Sequence, residues 1–305
     1  MLLSSYNGER FIEEQINSIL QQKDVEIELI IRDDGSTDNT RKILNEFSAQ
    51  NDNIRIICGD NIGVGKSFMT LLYNAPMADY YAFSDQDDIW LNDKLSRAIE
   101  KIQERERKGI IPLLYASNQI LIDADGQRMG MRYKQIPNCG LFDCIACNYL
   151  SGCTMVMNSQ MRDQLVDVQN ILNEEIIKTR IHDTWCMMAA NIVGEVIVDE
   201  DSRILYRQHE NNVVGAAEKK GISLIKDKWK RLTGAKYKGI RSSCARELEH
   251  CFSDQLNDEE REGLLTIANA NSIIGGIRLI MNKKIRTSFH ESALVLFTKA
   301  LLGWI

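Results

Sequence analysis

The sequence predicts an α/β protein, a mostly parallel sheet flanked by helices, with a helical carboxyl-terminal extension. Three observations carry that reading. Short apolar runs alternate with helix-period patterns through the first third of the chain, which is how strands joined by helical crossovers are written. Three polar clusters, "SSYNGE", "RDDGS" and "SDQDD", each sit where an apolar run ends. Beyond about Val213 the pattern changes to basic and helical, which places a domain boundary near Gly215 and divides the chain into 1–215 and 216–305.

Taken in order, "MLLSS" is a short opening strand, and "ERFIEEQINSILQQ" follows as a helix with Ile12, Ile16, Ile19 and Leu20 on one face. "VEIELIIR" reads as a strand running into the turn cluster "DDGSTDNT", and "TRKILNEFSAQ" as the next helix. "IRIICG" and "KSFMTLLYNA" form a third strand–helix pair, and "ADYYAFS" and "DKLSRAIEKIQERER" a fourth, with Leu95, Ala98, Ile99 and Ile102 on the apolar stripe. The second half is more mixed. "LLYASNQILIDADGQRM" reads as a strand and a hairpin turning at "DADG", "GCTMVM" as a short strand, and "NSQMRDQLVDVQ" as a helix. "HDTWCMMAANIVG" is a helix with Asp183 near its start, and "EVIVDEDSRILYRQH" two strands around a turn. No internal repeat is visible.

Composition narrows the function classes. The chain has 305 residues, 44% hydrophobic and 26% charged, with a formal net charge of -6. That balance is globular, and an acidic chain is poorly suited to nucleic acid, whose binding draws on phosphate neutralisation. The eight cysteines include a single C-x-x-C, Cys144 and Cys147, without a second pair or a nearby histidine. Reduced thiols are therefore expected rather than a zinc site. The opening has neither a basic start nor a long apolar stretch, and no window reaches the roughly 18 apolar residues of a membrane span. The expected location is the cytosol, against the inner membrane face if the carboxyl-terminal region binds lipid.

In "YAFSDQDDIW", Asp85, Asp87 and Asp88 fall within four residues at a strand end. Asp85 and Asp87 point the same way in an extended segment, and paired carboxylates suit a hard divalent cation that also binds substrate phosphates. The same residues would equally serve a solvated turn before a helix, where negative charge is favourable. "GDNIGVGKSF" invites a P-loop, but the spacing G-x-x-x-x-G-K-[ST] requires glycine where Asp60 stands. A glycine-rich turn is preferred. Asp33 and Asp34 in "RDDGSTDNT" could accept from a base or ribose, or simply build the turn. Asp183 in "RIHDTW" suits an N-cap, a general base, or both. "YRQHENN" holds Arg207, which suits a diphosphate, and His209, which suits a structural hydrogen bond.

Taken together, "SSYNGE", "RDDGSTDNT", "NIGVGKSFMTLLYNA", "SDQDDIW", "HDTW" and "YRQHENNVVG" resemble the ordered motifs of the family 2 glycosyltransferases, inverting enzymes of GT-A fold. The resemblance covers roughly residues 1 to 215, and the wording is similar to that of bacterial rhamnosyltransferases of polysaccharide and O-antigen assembly. The family's first strand is usually fuller than "MLLSS". The resemblance implies a nucleotide-diphospho-sugar donor, dTDP-L-rhamnose in this wording, and a saccharide or lipid-linked acceptor. It implies Mg²⁺ or Mn²⁺ with Asp87 as principal ligand, assisted by Asp85 and His209. It also implies that Ser5, Tyr6 and Glu9 line the nucleotide pocket, that Asp34 contacts the base, that Arg207 and His209 close over the diphosphate, and that Asp183 is the catalytic base. The alternatives are a P-loop-type nucleotide hydrolase and a non-catalytic sugar-nucleotide-binding relative.

The carboxyl-terminal region is basic from Glu218 to Arg241 and ends in "SALVLFTKALLGWI", with Leu294, Phe297, Leu301 and Trp304 near one helical face. A basic stretch and an apolar helix can hold a protein to an anionic membrane surface. They equally describe a solvated helix and a terminal helix docked on the core.

Overall fold

The structure, a computed structural model, describes residues 1–109, 111–209 and 238–305. The four expected strand–helix pairs form in order: β1 (Leu2–Ser5), α1 (Ile12–Leu20), β2 (Leu29–Asp33), α2 (Thr40–Gln50), β3 (Ile54–Cys58), α3 (Val64–Tyr73), β4 (Tyr80–Ser84) and, after the short β5 (Ile89–Trp90), α4 (Lys94–Glu106). There follow β6 (Leu113–Ser117), β7 (Ile120–Ile122), β8 (Arg128–Met131), α5 (Leu141–Ala146), β9 (Val156–Asn158), α6 (Ser159–Asp167), α7 (Glu174–Val193), β10 (Glu195–Asp199) and β11 (Ile204–Arg207).

These strands make a seven-stranded sheet of order β10-β6-β9-β4-β1-β2-β3 and a four-stranded one of order β5-β11-β7-β8. In the larger sheet only β9 runs antiparallel to its neighbours. β1 lies between β2 and β4, so the chain reverses its direction of travel across the sheet there, and the crevice beyond the carboxyl ends at such a point is where open α/β sheets bind ligands. The register sets Ser5 beside Asp33 and Leu3 beside Ser84, so the three polar clusters leave the sheet as neighbours.

Each face of the sheet is covered as the periodicity requires. Ile12, Ile16 and Ile19 of α1, with Leu95, Ala98 and Ile102 of α4, are buried in one core with Leu3, Leu29 and Ile31. Phe68, Leu71 and Leu72 of α3 join Phe83, Met157 and Trp185 in the other. The "EVIVDEDSRILYRQH" strands form as expected but do not pair: β10 extends the large sheet and β11 crosses to the small one. The "HDTW" helix is longer than expected, because α7 begins at Glu174 and breaks at Ile181, whose φ of 54° and ψ of 170° are non-helical.

After residue 238 the chain is helical: α8 (Ile240–Phe252), α9 (Asp258–Ala268), α10 (Ile273–Met281), α11 (Lys283–Ser288) and α12 (Ala293–Leu301). α8 packs on α7, with the Phe252 and Trp185 rings stacked at 5.8 Å. The proposed boundary at Gly215 and the basic residues 218–237 lie outside the described residues.

The glycine that suggested a P-loop has a packing purpose. α3 and α7 cross at Gly65, where an added Cβ would stand 2.5 Å from the Ile177 carbonyl oxygen and 3.2 Å from Ile181 Cα. Lys66 pairs with Glu174 at the start of α7. Gly65→Ala is expected to destabilise the protein by about 1–3 kcal/mol through overpacking, although alanine favours helix. Thermal melts check this; a raised Tm would show that the two helices can separate without cost.

Candidate active site

The crevice is built by loops that leave β1, β2 and β4. The Tyr6–Glu9 loop is laced to the neighbouring loops: Gln86 accepts from the Tyr6 N–H at 2.8 Å and donates back to its carbonyl at 3.1 Å. The Asn7 and Gly8 N–H groups donate to the Ser36 and Thr40 hydroxyls. A Cβ at Gly8 would meet Gln86 Oε1 at 2.3 Å, so a larger residue there would displace the Gln86 amide from its bridge to Tyr6.

Asp85 and Asp183, far apart in sequence, are brought into one electrostatic neighbourhood. Burial, then the charges of Asp87 and Asp183, push the Asp85 carboxyl up to about 7. Burial also raises Asp183 to about 6, opposed by hydrogen bonds from Thr184 and the Gly152 backbone and by the charge of Arg132. Asp183 follows the break at Ile181, so it opens the second segment of α7. Its neighbour His182 is held between Phe68, stacked at 4.0 Å, and Phe83, edge-on at 4.9 Å. That box is dry enough to lower the imidazole to about 3. A Cβ on Gly152 would strike His182 Nε2 at 2.3 Å, so glycine lets the 152 backbone approach the carboxylate.

The aspartate loop divides its three carboxylates. Asp87 Oδ2 lies 2.8 Å from His209 Nε2 at the mouth. Asp88 turns inward, accepts the Arg207 N–H at 3.1 Å, and is raised by burial and by Asp87 and Asp85. Asp85, Asp88 and Cys153 offer ligand atoms within 4.8 Å of one another. Cys153 is fully buried, and burial raises its thiol well above its usual range. Asp87 pairs with His209, and Asp85 feels the charge of Asp87 in the same loop. Buried carboxylates such as Asp85 and Asp88, whose affinity for protons is raised, fit a divalent cation, whose charge would replace the proton.

Several expected roles change. Arg207 does not open on the crevice. It is 2% exposed, and its guanidinium donates to the carbonyls of Asp87 at 2.9 Å and Ala124 at 3.0 Å and pairs with Glu14. It lies as a strut under the aspartate loop. The Asp34 carboxylate is buried, accepts the Ile62 and Gly63 N–H groups at 3.1 and 2.9 Å, and pairs with Arg32 at 3.1 Å, so its oxygens are taken up by the protein. The Ser5 side chain is buried with its hydroxyl on the Arg32 carbonyl at 3.5 Å. Glu9 accepts from the Asn39 N–H at 2.9 Å at the start of α2. Tyr6, 46% exposed, remains at the mouth. Gln86, Gly152 and Arg132 were not singled out in the sequence. The isolated glycine of "SGCT" was the available signal for a close backbone approach; Gln86 and Arg132 carried none.

A sheet of this order with carboxylates along its carboxyl edge is the GT-A glycosyltransferase fold. The comparisons agree. The model for glycosyl transferase family 2 matches residues 2–152. The chain is 35% identical over 243 residues to the dTDP-rhamnosyl transferase RfbG of Shigella flexneri, spanning 75% of this chain and 81% of that protein. A shorter match, 30% over 121 residues, covers 40% of this chain and 46% of WfgD of Escherichia coli, a UDP-Glc:alpha-D-GlcNAc-diphosphoundecaprenol beta-1,3-glucosyltransferase. Among solved structures, S. aureus TarS in complex with UDP-GlcNAc superposes with a TM-score of 0.55 at 17% identity, over 98% of this chain and 89% of that one. The chain belongs to glycosyl transferase family 2.

Arg207→Ala should cost about 2–4 kcal/mol of stability, because it leaves buried acceptors and Glu14 without their partner. Denaturant melts without ligand test this. An unchanged midpoint would return Arg207 to the role of a donor contact.

Proposed function

We propose that this glycosyltransferase moves L-rhamnose from dTDP-L-rhamnose to a hydroxyl of a saccharide or lipid-linked acceptor, with inversion, in assembly of a cell-surface polysaccharide of the O-antigen kind. What supports the mechanism is that the charges of Asp87 and Asp183 both bear on Asp85, which puts the three in one acidic neighbourhood. The extent of the match to the S. flexneri dTDP-rhamnosyl transferase supports the choice of donor.

In this reading the acceptor oxygen attacks the anomeric carbon from the face opposite the diphosphate. The new C–O bond forms as the bond to the diphosphate oxygen breaks, the leaving dTDP keeps the electron pair, and the acceptor proton passes to Asp183. Asp85, Asp87 and His209 would hold Mg²⁺ or Mn²⁺, which supplies positive charge where the departing diphosphate gathers negative charge. Tyr6 offers the exposed ring at the nucleotide end, while Ser5, Glu9 and Asp34 shape the loops around it. Asp183 needs no strong base partner. Its own burial raises its proton affinity, and the Thr184 and Gly152 hydrogen bonds keep it aimed.

Asp183→Asn should retain donor binding and lose about 10²–10⁴-fold in transfer, the usual contribution of a positioned base. In the parent, kcat/KM should rise as pH passes through about 6, where Asp183 ionises. The sign for stability is opposite. A buried carboxyl that titrates at about 6 rather than 3.8 favours the fold while protonated, so its contribution is present below about pH 4 and lost as pH rises through about 6. Asp183→Asn should therefore be more stable than the parent at pH 8, by about 1–2 kcal/mol. Rates together with melts decide: a variant that transfers at the parent rate removes the base.

Asp87→Ala should abolish the metal-dependent part of dTDP-L-rhamnose binding. In thermal-shift titrations with Mn²⁺ or with EDTA, the parent should respond to Mn²⁺ and the variant should not. A parent affinity that EDTA leaves unchanged would remove the metal from the site.

A further inference from the structure

We infer that the outer faces of α10 and α12 form a docking surface for an anionic lipid bilayer. α10 is driven to expose its apolar side chains by the way it packs. Gly276 faces α12, where a Cβ would meet Ala300 at 3.0 Å and the Phe297 ring at 3.1 Å, so α10 lies close on that helix. Gly275 and Leu279 are buried as well, and the remaining face of "IIGGIRLIM" turns outward. Ile273 is 64% exposed, Ile274 67% and Met281 77%, with Ile277 beside them. On α12, Leu294 is 76% exposed and Leu301 51%, whereas Phe297 of the expected face turns partly inward against Gly276. Large apolar side chains grouped on two packed helices are uncommon on a surface that meets only water.

Charge selects the occupant. The chain carries a net -6, yet from Asn271 to its end the sequence holds Arg278, Lys283, Lys284, Arg286 and Lys299 against a single acid, Glu291. Lys284 is paired with Glu259 of α9 at 2.7 Å, which leaves Arg278, Lys283 and Arg286 without a carboxylate partner among the described residues. Glu291 is itself engaged by Arg241 at 2.8 Å and Lys299 at 2.7 Å. A second copy would bring like charge to like charge across the same face. An anionic bilayer brings opposite charge to the basic residues and hydrocarbon to the isoleucines. Among the described residues no helix is long and apolar enough to cross a membrane, and α10 and α12, of nine residues each, suit an in-plane position. The neighbouring helices α8 and α11 are tied to α5, Arg241 donating to the Ala146 carbonyl and the Lys284 ammonium lying 5.6 Å from the Phe142 ring centre.

The test is flotation of the full chain with phosphatidylglycerol-containing vesicles and with phosphatidylcholine vesicles. The parent should float with the first at low salt and poorly with the second. Ile274→Glu with Leu294→Glu, both at exposed positions, should lower the bound fraction about ten-fold or more while the melting curve is kept. Arg278→Glu with Lys283→Glu should lower it on anionic vesicles alone. Binding that survives both pairs would overturn the assignment, as would a parent dimer in light scattering that the Ile274→Glu/Leu294→Glu pair dissolves. Because flotation reads no transfer, failure here leaves the donor reading standing, and a wrong donor leaves this surface standing.

Discussion

The molecule is organised around a crowding of negative charge. Asp85, Asp87, Asp88 and Asp183 are gathered at the carboxyl edge of the sheet, and burial makes the ionised form of three of them costly. Left alone, such a group would take up protons or open to water. The protein supplies some positive charge from within. Arg207 lies beneath the loop, and Lys94, held 3.5 Å over the Trp90 ring, is so deeply buried that its ammonium is pushed down to about 7 despite the nearby Asp88. That compensation is incomplete: burial and the charges of Asp87 and Asp183 still push the Asp85 carboxyl up. In the proposed reading, a cation and a diphosphate would meet carboxylates that the fold holds in place but does not fully neutralise.

Holding carboxylates in place against their own repulsion demands a stiff frame, and the frame is made where backbone meets backbone. Gly65 lets α3 and α7 touch, Gly152 lets the short helical turn before β9 reach Asp183, and Gly8 leaves room for Gln86 to bridge to the Tyr6 loop. The break at Ile181 belongs to the same set. A β-branched residue at positive φ is strained, and such conformations persist only where the surroundings over-determine them. Here the surroundings are the Gly65 crossing on one side and the aromatic box around His182 on the other. The bend redirects the chain so that Asp183 begins a fresh helical segment with its carboxylate beside Gly152 and Thr184.

How much of this could be read from the sequence depends on the range of the interaction. The strand–helix alternation, the crevice and the clustered aspartates follow from local periodicity and from the rule that ligands sit at carboxyl ends, and they were legible. The antiparallel β9 and the small sheet were not, because sheet order is set by long-range pairing that period-two patterns do not encode. For the candidate site, sequence names residues by their chemistry, and their roles depend on contacts that it does not encode. Asp34 and Arg207 have the chemistry to meet a nucleotide diphosphate, and sequence cannot show that each is already engaged, Asp34 with the Ile62 and Gly63 backbone and Arg207 with the Asp87 carbonyl. A buried polar group must satisfy its partners inside the protein before it can serve a ligand, and burial is a property of the fold.

The same reasoning separates two lysines that look alike as text. Lys66 follows glycine before a helix, as a phosphate-binding lysine would, yet it stands on a surface crossing and pairs with Glu174. Lys94 follows an ordinary asparagine–aspartate turn and attracts no motif, yet it is buried beside Asp88 and Cys153, where its charge bears on the acidic cluster. What distinguishes them is the helix each begins: α3 starts where Gly65 must admit α7, so its first turn is spent on helix packing, whereas α4 starts directly beyond the aspartate loop and β5. Proximity to the crevice along the chain therefore says less about a residue's part in the chemistry than the face of the helix on which it falls.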